Sequence, residues 1–213
     1  MPSNCNRRVR MFNGLIQEIA KVKEFKNNIL KLEAAHQPGI GDSIAVNGVC
    51  LTVIECFEKG FALELSAHTQ KTIALENYQK QVHIEPALSL HTRIDGHLVQ
   101  GHVDGVGSIK KITKKANQIE MQIKAPKEIL ALCIPKGSIC IDGVSLTIAG
   151  ISEDFFELVL IPHTFSQTLF HTYKIGRRVN IETDMIVRSI ATLMQGKTKT
   201  TTWDALDSFL LSY

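Results

Sequence analysis

Residues 41–53 (GDSIAVNGVCLTV) return as residues 136–148 (KGSICIDGVSLTI), displaced by 95 positions, and this internal repeat limits the fold more than any other feature. Ser43/Ser138, Ile44/Ile139, Gly48/Gly143, Val49/Val144, Leu51/Leu146 and Thr52/Thr147 are identical pairs. The same displacement runs on through Glu58/Glu153, Phe61/Phe156, Leu63/Leu158, Leu65/Leu160, His68/His163 and Thr69/Thr164. Common residues each make up roughly 7% of a chain, so chance supplies only about two such matches over the stretch. The chain is a tandem duplication, and its 213 residues suffice for two small domains.

Small changes of register extend the copies outward. MFNG (11–14) aligns with HVDG (102–105), LKLEA (30–34) with MQIKA (121–125), and VHIE (82–85) with VNIE (179–182). This divides the chain into an N-terminal extension, 1–10; a first domain with its linker, 11–101; a second domain, 102–184; and a C-terminal segment, 185–213. Within each copy, ILKLEA, IEMQIKA, FALEL and FFELVLI alternate apolar and polar residues, the pattern of half-buried strands. Asn47-Gly48 and Asp142-Gly143 predict tight hairpin turns, because glycine tolerates positive φ. Short strands in a domain this small predict a closed antiparallel barrel, which leaves no exposed edge. The second copy is longer around PKEILALCIPKG, which reads as a helical turn. After Asp184 the period changes: Ile186, Val187, Ile190, Leu193 and Met194 form a helical stripe that Gly196 ends. Thr201 and Asp204 suit the start of a second short helix. The first stripe predicts either packing on its own barrel or a contact between subunits.

Charge and composition exclude several function classes. A net charge of +3 without an arginine-rich face does not suit nucleic acid, and no apolar run reaches the span of a membrane helix. The N-terminus lacks the apolar stretch of a secretory signal. Five cysteines without CxxC spacing predict reduced thiols and a cytoplasmic protein. His97 and His102, five residues apart in HLVQGH, diverge on a strand or a helix, so no metal site is expected.

Polar residues that recur in both copies are the pocket candidates: Ser43, Cys50 and Thr52 against Ser138, Ser145 and Thr147, and Thr69 against Thr164. Serines and threonines also close turns by bonding nearby backbone, and turns duplicate with the rest. MFNGLIQE, VNGVCLTV, GHLVQGHVDG, KGSICIDGVSLT, LIPHT and VNIETD together resemble the riboflavin synthase family, in its order and spacing, over about residues 11–190. The resemblance implies an all-β fold of tandem six-stranded antiparallel Greek-key β-barrels with a C-terminal α-helix, assembled as a homotrimer. It implies the dismutation of two molecules of 6,7-dimethyl-8-ribityllumazine to riboflavin and 5-amino-6-ribitylaminouracil, with no metal or organic cofactor. Each site would lie between the first barrel of one subunit and the second barrel of its neighbour, and the resemblance also allows association with lumazine synthase. A binding protein of the same fold, which holds the ligand without turning it over, is the alternative.

The resemblance assigns one lumazine to the first barrel, at Gly14, Leu15 and Ile16, at Val49, Cys50 and Leu51, and at Glu64, Leu65, Ser66, Ala67, His68 and Thr69. The other falls to the second barrel, at Gly101, His102 and Val103, at Lys136, at Ser145, Leu146 and Thr147, and at Val159, Leu160, Ile161, Pro162, His163 and Thr164. Ser43, Asp142, Thr69 and Thr164 suit ribityl hydroxyls. Cys50, His102, Ser145 and Thr147 are the catalytic candidates, Cys50 for attack or polar assistance and His102 for proton transfer near neutral pH. Two departures stand out. Ten residues precede Met11, where family chains usually begin, and His68 occupies a position where the family commonly carries Glu.

Overall fold

The computed structural model describes residues 11–89 and 91–196; Thr201, Asp204 and the second helix expected around them lie outside the described residues. The first domain holds β1 (Glu18–Lys26), β2 (Ile29–Glu33), β3 (Ser43–Val46), β4 (Val49–Phe57), β5 (Gly60–Glu64), α1 (Ala67–Thr72) and β6 (Gln81–Pro86). The second holds β7 (Gly105–Lys114), β8 (Ile119–Lys124), α2 (Lys127–Leu130), β9 (Ser138–Ile141), β10 (Val144–Ile151), β11 (Phe155–Leu160), α3 (Pro162–Gln167) and β12 (Arg178–Thr183); α4 (Met185–Gly196) follows. Each set of six strands closes into an antiparallel barrel, in the order β1-β2-β5-β4-β3-β6 and, with the same connectivity, β7-β8-β11-β10-β9-β12. β6 returns beside β3 after the β3-β4-β5 meander, which is a Greek key.

Strand alternation fills each barrel. Leu30, Leu32, Val53, Phe61, Leu63, Val82 and Ile84 point into the first, and Met121, Ile123, Ile148, Phe156, Leu158, Val179 and Ile181 into the second. Bulges recur at matching places, Val22/Glu24 with Ile109/Lys111 and Val53/Glu55 with Ile148/Gly150. Such an extra residue bends a strand and raises its twist, which a six-stranded barrel needs in order to close.

The barrels meet across an approximate two-fold axis at the tips of the β3-β4 and β9-β10 hairpins. Asn47 (φ 45°) and Gly48 (φ 78°) form one turn and Asp142 (φ 44°) and Gly143 (φ 86°) the other, both in the left-handed region that primed turns require. A Cβ on Gly48 would lie 2.7 Å from the Gly143 nitrogen, so glycine is needed for the approach as well as for the turn. His83 and Asn180 bridge the seam in matching ways. His83 Nε2 accepts from Leu169 N (2.7 Å) and its Nδ1 donates to the Asp142 carbonyl (2.8 Å). Asn180 Oδ1 accepts from Ala74 N (2.8 Å) and its Nδ2 donates to the Asn47 carbonyl (2.9 Å).

One expectation changes, and one open alternative narrows. The leading end of the repeat is offset by 87 residues, from β1 starting at Glu18 to β7 starting at Gly105, so MFNG (11–14) corresponds to LVQG (98–101) and not to HVDG. The β7-β8 hairpin is the cause: it is longer than the β1-β2 hairpin, whose turn is only Asn27 and Asn28. The stripe on α4 does not pack on its own barrel. Ile186, Ile190, Leu193 and Met194 are 52–69% exposed.

Candidate active site

The repeated hairpins place Cys50 and Ser145 at the same point of their barrels, Cys50 paired with Ala45 and Ser145 with Cys140. Beside Cys50, the Thr52–Glu64 pair joins β4 to the end of β5, from which the chain passes through Leu65 into α1. Val49, Cys50, Leu51 and residues 64–69 therefore share one end of the first barrel. Ser145, Leu146, Thr147, Val159, Leu160 and the start of α3 share the matching end of the second. At both ends a strand stops and a short helix turns away.

The segments that lead into the barrels are exchanged. The arm before β1 (residues 12–14) crosses to the second barrel, where the Gly14 carbonyl accepts from Ser145 N at 2.7 Å. The arm before β7 (residues 99–101) crosses to the first, where the Gly101 carbonyl accepts from Cys50 N at 2.9 Å. Both glycines have positive φ, and a Cβ on either would come within 2.6 Å of the Cβ of its Ser145 or Cys50 partner. The arms cross as a two-residue antiparallel bridge, with Phe12 N donating to the Val99 carbonyl (2.7 Å) and Val99 N to the Phe12 carbonyl (3.1 Å). This regroups the expected sites. Gly14, Leu15 and Ile16 belong with Ser145 and the second barrel, and Gly101, His102 and Val103 with Cys50 and the first. The grouping drawn from the resemblance was the reverse, because matched motifs do not reveal that an arm reaches past its own barrel.

Asp142 is also reassigned. It is fully buried at the hairpin tip, where its carboxylate accepts from Tyr173 OH (2.6 Å) and Asn180 N (2.8 Å), so it braces the seam and is not presented to a ribityl chain. Burial pushes it up to about 6, against the pull of those hydrogen bonds. Ser66 caps α1, accepting from Thr69 N at 3.1 Å, and its hydroxyl pairs with that of Thr69 at 2.9 Å. Ser43 is buried on β3 opposite Thr52, and Lys136 is exposed in a turn with φ 65°. His68, Pro162 and His163 are exposed on α1 and α3, and Thr164 is half-buried.

Three residues that the sequence reading passed over stand at these sites. His97 Nδ1 lies 2.7 Å from Ser145 Oγ, and burial lowers its pKa while the Asp184 carboxylate pulls the other way. HLVQGH carried the signal, but only as a metal spacing; its two histidines serve different sites, His97 beside Ser145 and His102 on the arm that reaches Cys50. Glu85 accepts from Asn13 N (2.6 Å) and Gly14 N (3.0 Å), and Glu182 from Gln100 N (2.7 Å), Gly101 N (2.8 Å) and His102 N (3.0 Å). Both were visible as the shared last residue of VHIE and VNIE.

Leu15, Val159 and Ile161 at the second-barrel site are 39–59% exposed, and Glu64, Ser66, His68 and His102 at the first are exposed, so each candidate site is an open surface on a single chain. A cavity of about 510 Å³ lies elsewhere, between β1 and the turn after Leu75, and contains none of the candidate residues. A second, about 150 Å³, touches them only through Val159. No described helix is long and apolar enough to cross a membrane.

Comparison with known proteins agrees with this architecture. The lumazine binding domain model matches twice, over residues 13–87 and 100–184, and the two matches start 87 residues apart, as the arms do. Riboflavin synthase from Bacillus subtilis (strain 168) is 39% identical over 185 residues, covering 83% of this chain and 86% of that protein. Riboflavin synthase from Photobacterium leiognathi is 34% identical over 195 residues, covering 87% and 89%. Among solved structures, LumP complexed with 6,7-dimethyl-8-(1'-D-ribityl) lumazine shares the fold, with a TM-score of 0.71 at 23% identity, covering 81% of this chain and 98% of that one. Two matched domains and long alignments above 30% identity place the chain in the riboflavin synthase family of duplicated lumazine-binding proteins.

Proposed function

We infer that the chain catalyses the dismutation of two molecules of 6,7-dimethyl-8-ribityllumazine, one giving up four carbons and leaving as 5-amino-6-ribitylaminouracil, the other becoming riboflavin. The observation that carries this reading is the pair of matching sites, each built from one barrel and the arm of the other, which suits two copies of one substrate in different roles. The match to riboflavin synthases over most of the chain supports it. Main-chain donors and acceptors where strands end beside a pocket suit the amide-like edge of the heterocycle.

The reaction needs nucleophilic addition at C7 of the donor and a base for the acidic 7-methyl of the acceptor. Cys50 and Ser145 occupy the equivalent positions, His102 stands by the first site, and the exposed hydroxyl of Thr147 by the second. Ser145 carries a hydrogen-bonded imidazole, His97, placed to take its proton. Holding two reactants in register can itself remove about 7–11 kcal/mol of barrier. The open sites and the exposed apolar stripe of α4 support a homotrimer in which a neighbour closes each site, the first barrel of one subunit against the second of the next. Association with lumazine synthase, which would supply this substrate, belongs to the same reading, as does a cytoplasmic location.

Incubation of purified protein with the lumazine alone tests the activity. Riboflavin and the aminouracil should appear together, one of each for every two lumazines consumed. Tight binding of lumazine without product would make the chain a binding protein instead.

A further inference from the structure

Glu85 and Glu182 are 3% and 2% exposed, and each spends its carboxylate on the backbone of one arm. Glu85, on β6 of the first barrel, holds Asn13 and Gly14 so that the Gly14 carbonyl meets Ser145 N in the second barrel. Glu182, on β12 of the second barrel, holds residues 100–102 so that the Gly101 carbonyl meets Cys50 N in the first. Each carboxylate meets the site in the opposite barrel through the arm's backbone, Glu85 at Gly14 and Glu182 at Gly101 and His102. We propose that Glu85 and Glu182 are crossed positioning residues, each setting the geometry of the site in the opposite barrel through the arm it holds.

The chemistry favours a carboxylate at both places. Several N–H groups converge on each side chain, and only an ionised carboxylate offers acceptors alone; a glutamine amide would turn an NH₂ group toward one of them. A Cβ on Gly14 or Gly101 would strike Ser145 or Cys50, so the arms press on the candidate residues with no slack. A shift of an arm is therefore felt at the site. Burial raises both carboxyls to about 7 in spite of the N–H bonds. Glu182 also faces Arg188 (3.8 Å) and Asp104, and Glu85 and Glu182 both lie near the buried Cys140 thiol.

The test is amide hydrogen exchange in the full chain, read at Ser145 and Cys50. Glu85→Gln should speed exchange of the Ser145 amide by about tenfold or more while Cys50 changes little, and Glu182→Gln should do the reverse. Affinity should cross in the same way, Glu85→Gln weakening the riboflavin whose binding shifts the Ser145 resonance and Glu182→Gln the one that shifts Cys50. Equal effects on both amides, or an effect confined to the variant's own barrel, would overturn the proposal. If a variant does not fold, the unaltered chain serves: carboxyl-labelled Glu85 should titrate together with the Ser145 amide and Glu182 with the Cys50 amide, and uncrossed titrations would again overturn it. The affinity arm rests on the riboflavin synthase reading, but the exchange arm does not. Crossed exchange in a chain that binds no lumazine would remove that reading and leave the positioning in place.

Discussion

At the seam between the barrels, His83 and Asn180 make the same two bonds, yet only His83 titrates. Burial holds it down to about 4, because a proton on Nε2 would face the Leu169 N–H. An unfolded histidine titrates near about 6.5, so the unfolded chain binds more protons and stability falls as pH drops from about 6.5 toward about 4, by on the order of 3 kcal/mol. Asp142 works in the opposite sense: burial raises it to about 6, so its contribution favours the folded state as pH falls below that value. The two are separated by His83→Asn, which keeps an acceptor for Leu169 and a donor for the Asp142 carbonyl, as Asn180 does for Ala74 and Asn47. Urea unfolding from pH 7 to pH 4 should show the variant gaining on the parent as pH falls; parallel curves would remove His83 from the acid response. A second prediction concerns proton transfer. His102→Gln should lower kcat by about a hundredfold or more while lumazine still binds, since the arm is held through backbone that the change leaves alone. A variant that turns over at the parent's rate would end the role given to His102.

Among the elements, α4 has the clearest task and the least cover. Its N-terminus is capped by Asp184, and Arg188 is tied to Asp104 and Gln100, so the first turns are anchored while the apolar stripe faces away from the barrels. Ile190→Asp with Leu193→Asp should leave the barrels folded but lower the mass seen by light scattering; a trimer that survives both changes would refute the stripe as its contact. Much of this was legible in the sequence, and for physical reasons. Asn-Gly and Asp-Gly have few uses other than a primed hairpin turn, alternation has a fixed period, and a duplicated motif checks itself. The misread parts depend on contacts between distant residues. MFNG looks like HVDG as text, but Glu85 and Glu182 clamp 13–14 and 100–102, and that sets the true register. Asp142 looked like a ligand group because a carboxylate suits a ribityl hydroxyl; its carboxylate is instead taken up by Asn180 and Tyr173, more than thirty residues on, which no local pattern reports. His97 was passed over because Ser145 is 48 residues away.

For the whole molecule, the proposed reaction draws donor and acceptor from one kind of substrate, so the chemistry calls for no further reactant. Turnover should survive exhaustive EDTA treatment and dialysis, and activity lost and then restored by zinc or magnesium would overturn this. The exchange of arms has a further consequence, for the order in which the molecule is made. The first barrel's own strands are complete at residue 86, with Glu85 already able to grip the arm behind it, but the Gly101 carbonyl that the Cys50 amide meets is made later. That arm in turn is held by Glu182, almost the last residue of the second barrel. Translation therefore delivers a finished barrel with an unfinished candidate site, and the nascent chain withholds both candidate sites until nearly all of the second barrel has been made.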